Sequence, residues 1–100
     1  MIVMTDPITA ARAAALFVSD ISAADRPSRA EAEEAIRRAI RIHGGIRGCT
    51  ADMAATYGDY PDLAPARMAW ARSLAADLRH HQVVAHLDRR APLAQLATAA

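Results

Sequence analysis

The chain contains no lysine, one cysteine and only 4% aromatic residues. A single cysteine excludes an internal disulfide and is typical of a reducing compartment, so we expect a cytoplasmic location. No apolar run approaches the ~20 residues that a membrane-spanning helix needs. β-Branched and aromatic residues are sparse and never alternate over a long run, which disfavours strands. The sequence therefore predicts an all-α protein.

The chain also lacks a strong net charge and the usual catalytic motifs. Its 12 basic and 11 acidic residues leave a formal net charge of +1, which argues against a protein that binds a polyanion through bulk charge. It has no glycine-rich phosphate loop, paired-carboxylate arrangement or serine-nucleophile motif. We therefore expect a protein that is not an enzyme and needs no cofactor.

Capping signals predict where the first two helices begin. Asp6 followed by Pro7 is typical of an N-cap and first helical residue. Ser28 and Glu31 have the spacing of a capping box at the start of a second, amphipathic helix. Gly44 and its glycine neighbour can adopt the left-handed conformation that ends this helix.

Two further helices, one short and one long, are predicted after these glycines. The short third helix extends from about residue 46 to Tyr57, with Gly58 as its stop. The fourth begins near residue 62 or 64 and continues past His81 to about Arg90. The expected fold is a bundle of four helices over residues 1–91, followed by a weakly ordered tail over 92–100.

The apolar surface predicts self-association. A core rich in alanine buries little area per residue, so a chain of 100 residues gains stability by docking on a second copy or another protein. Val83, Val84 and Leu87 continue the apolar stripe of the fourth helix and are the expected homodimer surface. Tyr60 either anchors a partner protein at this interface or packs over Trp70 as a lid on the core. A non-enzymatic interaction or regulatory module is the function we expect.

The alternative function is DNA binding by a helix-turn-helix. The third and fourth helices meet at a tight turn, and Arg67, Arg72 and Arg79 on the fourth helix would be the DNA contacts. Asp59 and Asp62 oppose this interpretation, because they would meet the phosphates with like charge.

Two groups of residues could carry chemistry, but each also has a structural interpretation. Asp77, His80, His81 and His86 share helical spacings used by metal ligands, but too few ligands lie together, and solvated histidines at a helix end explain them as well. Cys49 near a helix start could be a reactive thiol, although its place on an apolar stripe favours a buried side chain. The sequence predicts neither a metal site nor catalysis.

Overall fold

The computed structural model describes residues 6–99, and the side chains of residues 6–89. Within that range lie four α-helices and no strand. The helices are α1 (Pro7–Val18), α2 (Arg29–Ile42), α3 (Gly45–Asp59) and α4 (Ala64–Ala99), with a 3-10 turn at Ala23–Asp25 between α1 and α2. The predicted all-α class and the long last helix are confirmed.

Side-chain caps begin α1 and α2 at the predicted residues. The Asp6 carboxylate accepts hydrogen bonds from the backbone N–H and the hydroxyl of Thr9, at 2.9 and 2.7 Å. At the start of α2, Ser28 Oγ accepts from the Glu31 N–H at 3.1 Å, and the Glu31 carboxylate accepts from the Ser28 N–H at 3.2 Å. Both caps satisfy backbone donors that have no partner within their helix.

Glycines shape the corner between α2 and α3. Gly44 and Gly45 have φ values of 78° and 90°, the left-handed region that glycine adopts without strain. One turn later, a Cβ added to Gly48 would lie 1.5 Å from the carbonyl oxygen of His43. The first turn of α3 therefore packs directly on the backbone at the end of α2.

The end of α3 differs from the prediction. Gly58 lies inside the helix, which ends at Asp59, so its predicted role as the helix stop is wrong. Helical backbone is disfavoured for Tyr60 because Pro61 follows it, and Tyr60 has φ −133° and ψ 62°. With 15 residues, α3 is short beside the 36 residues of α4, although it is no shorter than α1 or α2.

The core is built around α1, which packs on each of the other three helices more extensively than they pack on one another. Phe17 is buried there, and its ring stacks on that of Tyr57 with the centres 5.7 Å apart. Trp70 and Leu74 are half-buried at the edge of the core, and Leu78 is 2% exposed. Most other buried side chains are alanines, which allow the helix backbones to approach closely.

Ion pairs join α1 to α2. The acid-first spacing on α2 predicts local pairs of Glu33 with Arg37 and of Glu34 with Arg38. The structure instead pairs Glu33 with Arg12 on α1, and pairs Arg38 with an aspartate just after α1. Only Glu34 pairs within the helix, at 3.0 Å from Arg37. These local predictions are wrong because α1 lies within reach of the same side chains.

The predicted domain boundary remains a prediction. The expected tail comprises residues 92–100, whose side chains lie outside the described residues. The bounds of α4 extend to Ala99. The first five residues of the predicted domain over 1–91 also lie outside the described range.

Candidate interaction surface and neighbouring cleft

The exposed apolar side chains on α4 lie where the rest of the bundle has ended. Helix α1 runs antiparallel to α4, since its C-terminal end meets Arg67 and its N-terminal Asp6 meets Arg79, with an N–O distance of 3.4 Å. Among the residues with described side chains, Leu78 is the last on α4 to be buried. Residues 79–89, called here the projecting segment, therefore extend beyond the packed body.

Val83, Val84 and Leu87 are 47%, 37% and 58% exposed on this projecting segment. At about 100° per residue, the three side chains fall within an arc of about 100° on one side of the helix. They form a single apolar strip, called here the α4 strip, on which nothing else in the described part of the chain packs.

The sequence predicts that the α4 strip continues the core stripe of α4. The structure shows that it does not. Leu87 follows Leu78 by nine residues, which places the two side chains about half a revolution apart in a regular helix. The core-facing side of the projecting segment instead carries polar residues such as Gln82 and Arg89. The expected continuity is wrong, because apolar residues change sides of the helix after Leu78.

Tyr60 is far from the α4 strip. It is 59% exposed and precedes α4, whereas Val83 lies 19 residues after Ala64, a rise of about 28 Å. The structure therefore does not bring Tyr60 together with Val83, Val84 and Leu87 in one patch. The lid over Trp70 is also not formed, because the Tyr60 side chain is largely in solvent.

Tyr60 instead borders a cleft of about 510 Å³ between α1, α3 and α4. Its wall includes His43 and Asp52, whose Nδ1 and Oδ2 atoms are 2.5 Å apart. The hydroxyls of Ser19 and Thr56 in the same wall donate to backbone carbonyls. A carboxylate-held histidine is half of a general-base arrangement, but these hydroxyls are occupied elsewhere.

Arg67 at the edge of this cleft caps the C-terminal end of α1. Its Nε donates to the carbonyl of Phe17 at 3.0 Å, and its Nη2 donates to those of Leu16 and Ser19 at 3.2 and 3.1 Å. The guanidinium also lies over Trp70, with Cζ 4.2 Å from the ring centre. Burial lowers the pKa of Arg67, while the negative end of the α1 dipole favours its charge.

The three arginines of the DNA-binding alternative do not form one surface. Arg67 is directed into the bundle, whereas Arg72 and Arg79 are exposed on another side of α4, about 120–140° around the helix. Asp59 and Asp62 are exposed beside the start of α4, where they would meet phosphates. DNA binding stays a prediction that no contact in the described residues favours.

Cys49 is fully buried, and its Sγ donates to the carbonyl oxygen of Ala39 at 3.6 Å. Burial, followed by the charge of Asp52, raises the pKa of the thiol. His43, the histidine six residues before Cys49, is paired with Asp52 and not with the thiol. The thiol therefore has the properties of a small core side chain rather than of a nucleophile.

The residues considered as metal ligands, Asp77, His80, His81 and His86, are all exposed on α4. Among the residues described, no three histidine, cysteine or acidic side chains are grouped so that they could hold a metal ion. None of the described helices combines the length and the apolar character that crossing a bilayer requires.

Two of these contacts are not predictable from the sequence. The pairing of His43 with Asp52 joins residues nine positions apart across the glycine corner, and the cap of α1 by Arg67 joins residues about 50 apart. Neither spacing is a known motif, so only the three-dimensional arrangement shows them.

In comparisons with known proteins, no family model, curated protein or solved structure matches this chain.

Proposed function

We propose that this chain is a non-enzymatic interaction module of the cytoplasm that forms a homodimer through the α4 strip. The observation that supports the proposal is that Val83, Val84 and Leu87 are exposed side by side on the projecting segment of α4. Large apolar side chains grouped in solvent are typical of protein interaction sites.

The size of the α4 strip sets the strength of the expected dimer. Full burial of a valine or leucine side chain contributes about 1.5–3 kcal/mol, and these half-exposed side chains gain a part of that. Association costs at least about 4 kcal/mol. We therefore expect a dimer that forms and dissociates with protein concentration, which suits a regulatory role.

The cleft beside Tyr60 remains accessible in such a dimer. Tyr60 and the neighbouring Leu63 are 59% and 69% exposed, and both precede the first residue of α4, about 28 Å along the helix axis from Val83. A second protein could therefore use Tyr60 as an anchor without competing with dimerisation.

Sedimentation velocity over a range of concentrations tests the proposal. The wild-type chain should shift from monomer to dimer, and the Val84→Asp, Leu87→Asp double variant should remain a monomer with unchanged helix content. Ile42→Asp is the matched control, because Ile42 is a similarly exposed apolar residue on α2. A wild-type monomer at every concentration, or a double variant that dimerises normally, would contradict the proposal.

A further inference from the structure

We infer that the homodimer is a parallel, two-stranded coiled coil formed by the outer side of α4, in register with a second copy of the chain. This inference rests on the proposed function and adds the direction and register of the two helices. It follows from the spacing of exposed residues along α4 and from the charges beside them.

Val83 and Leu87 of the α4 strip belong to a longer seam with the spacing of a coiled coil. Six exposed positions follow one another at alternating intervals of four and three residues, the spacing of a and d positions in heptads. They are Ala69, Ser73, Ala76, His80, Val83 and Leu87. Such a 4-3 spacing keeps one side of each helix in contact with its partner over the whole length.

The bundle leaves the six residues of this seam exposed, and the segment between α1 and α2 approaches only its edge, where Ser73 and Asp77 border a cleft. The buried residues of α4, such as Ala71, Ala75 and Leu78, lie on the opposite side of the helix, where α1 packs. A second copy could therefore approach α4 from behind without displacing α1. The small side chains at the start of the seam permit close contact beside the bundles, and Val83 and Leu87 supply the larger apolar area beyond them.

Charges at the edges of the seam favour the parallel direction. Arg72 lies at a g position and Asp77 at the e position five residues later, and these two positions meet between the helices of a parallel dimer. Within the described residues, neither side chain takes part in an ion pair. An antiparallel dimer would bring g positions together, and Arg72 and Arg79 both occupy that edge.

The composition of the seam indicates a fixed register and modest affinity. His80 is the only ionisable side chain among the six, at an a position, where a polar residue selects one register at a cost in stability. The described seam extends from residue 69 to residue 87, less than three full heptads. Both features agree with a dimer that dissociates on dilution.

Disulfide cross-linking distinguishes the two directions. Ala69→Cys and Val83→Cys place a thiol at two d positions, and Cys49 is buried, so the wild type should not cross-link. A parallel dimer should give a linked dimer with each variant alone in a glutathione redox buffer. Ala55→Cys, at an exposed position on α3, measures linking by chance collision.

Charge exchange tests the register. Arg72→Asp or Asp77→Arg alone should weaken dimerisation roughly tenfold, because each brings like charges together at both symmetry-related contacts. The double exchange should restore the wild-type dissociation constant. A dimer in sedimentation that cross-links only when the two cysteine variants are mixed would be antiparallel and would overturn this inference alone. The absence of any dimer would overturn the proposed function as well.

Discussion

The bundle, residues 6–78, and the projecting segment of α4 use apolar side chains of different sizes. Buried positions in the bundle are largely alanine, supported by a few large side chains such as Leu16, Phe17 and Leu78. The projecting segment carries Val83, Val84 and Leu87 in solvent. Small residues allow the helices of the bundle to pack closely, whereas the large side chains of the projecting segment remain exposed to solvent.

This difference predicts separate consequences for mutations. A substitution in the bundle should change the free energy of unfolding, because backbones and side chains are in close contact there. A substitution in the projecting segment should change dimerisation and leave the unfolding of the monomer almost unaffected. Matched substitutions in the two regions, measured at a concentration where the chain is monomeric, test this separation.

The largest effect is expected at the glycine corner. Gly48→Ala should destabilise the bundle by more than about 3 kcal/mol, because the added Cβ overlaps the backbone of His43 and side-chain movement cannot relieve it. Gly58→Ala on the same helix meets nothing within 4 Å and should stabilise it by up to about 1 kcal/mol. Urea unfolding followed by circular dichroism measures both. Equal effects would contradict the close contact at Gly48.

The same substitution at two leucines of α4 should separate folding from association. Leu78→Ala removes a side chain that is 2% exposed and should cost about 3 kcal/mol of stability. Leu87→Ala, at a side chain that is 58% exposed, should change monomer stability by less than about 0.5 kcal/mol while weakening the dimer. Urea unfolding and sedimentation velocity together give both values. A large loss of monomer stability in Leu87→Ala would show that the segment packs on its own bundle.

Arg67 and Arg72 of α4 should contribute differently to stability, because Arg67 packs on the bundle and Arg72 is exposed. Arg67→Ala removes the side chain that donates to the carbonyls of Phe17 and Ser19, and should destabilise the chain by about 2 kcal/mol. Arg67→Lys should recover only part of this loss, because an ammonium group lacks the planar fork of donors. Arg72→Ala should leave thermal unfolding of the monomer nearly unchanged, since Arg72 is exposed. A stable Arg67→Ala variant would show that water replaces the cap.

The smallest expected effect is a loss of thermal stability at acidic pH. Hydrogen bonds from Thr9, Arg38, Ser28 and Arg37, respectively, lower the pKa values of four carboxyl groups of the bundle, Asp6, Asp20, Glu31 and Glu34. Because these pKa values are lower in the folded chain, their contribution is complete above the ordinary values of 3.8 and 4.5 and is lost as the pH falls towards the folded values. The melting temperature should therefore fall modestly below about pH 4.5. Glu31→Gln should reduce this dependence, and an unchanged melting temperature down to pH 3 would contradict it.

Much of the fold could be predicted because its signals are local. A capping box such as Ser28 and Glu31 forms within one turn of helix, and glycine at residue 44 adopts the left-handed conformation without strain. The continuation of α4 past His81 also follows from the absence of a helix-breaking residue between Ala66 and Ala91, although the helix extends beyond the predicted end at about Arg90 to Ala99. The candidate site was predicted only in part, since Tyr60 and the α4 strip proved to be separate.

The sequence by itself determined the four helices, the capped starts of α1 and α2, and the identity of the large apolar residues on the last helix. The tertiary structure alone decided that Arg67 caps α1, that Glu33 and Arg38 leave their helical neighbours, and that His43 meets Asp52. The signals that start and stop helices act over three or four residues, so they can be recognised in the sequence. Which residue lies beside which depends on how α1 packs among the other helices, and no local pattern records that packing.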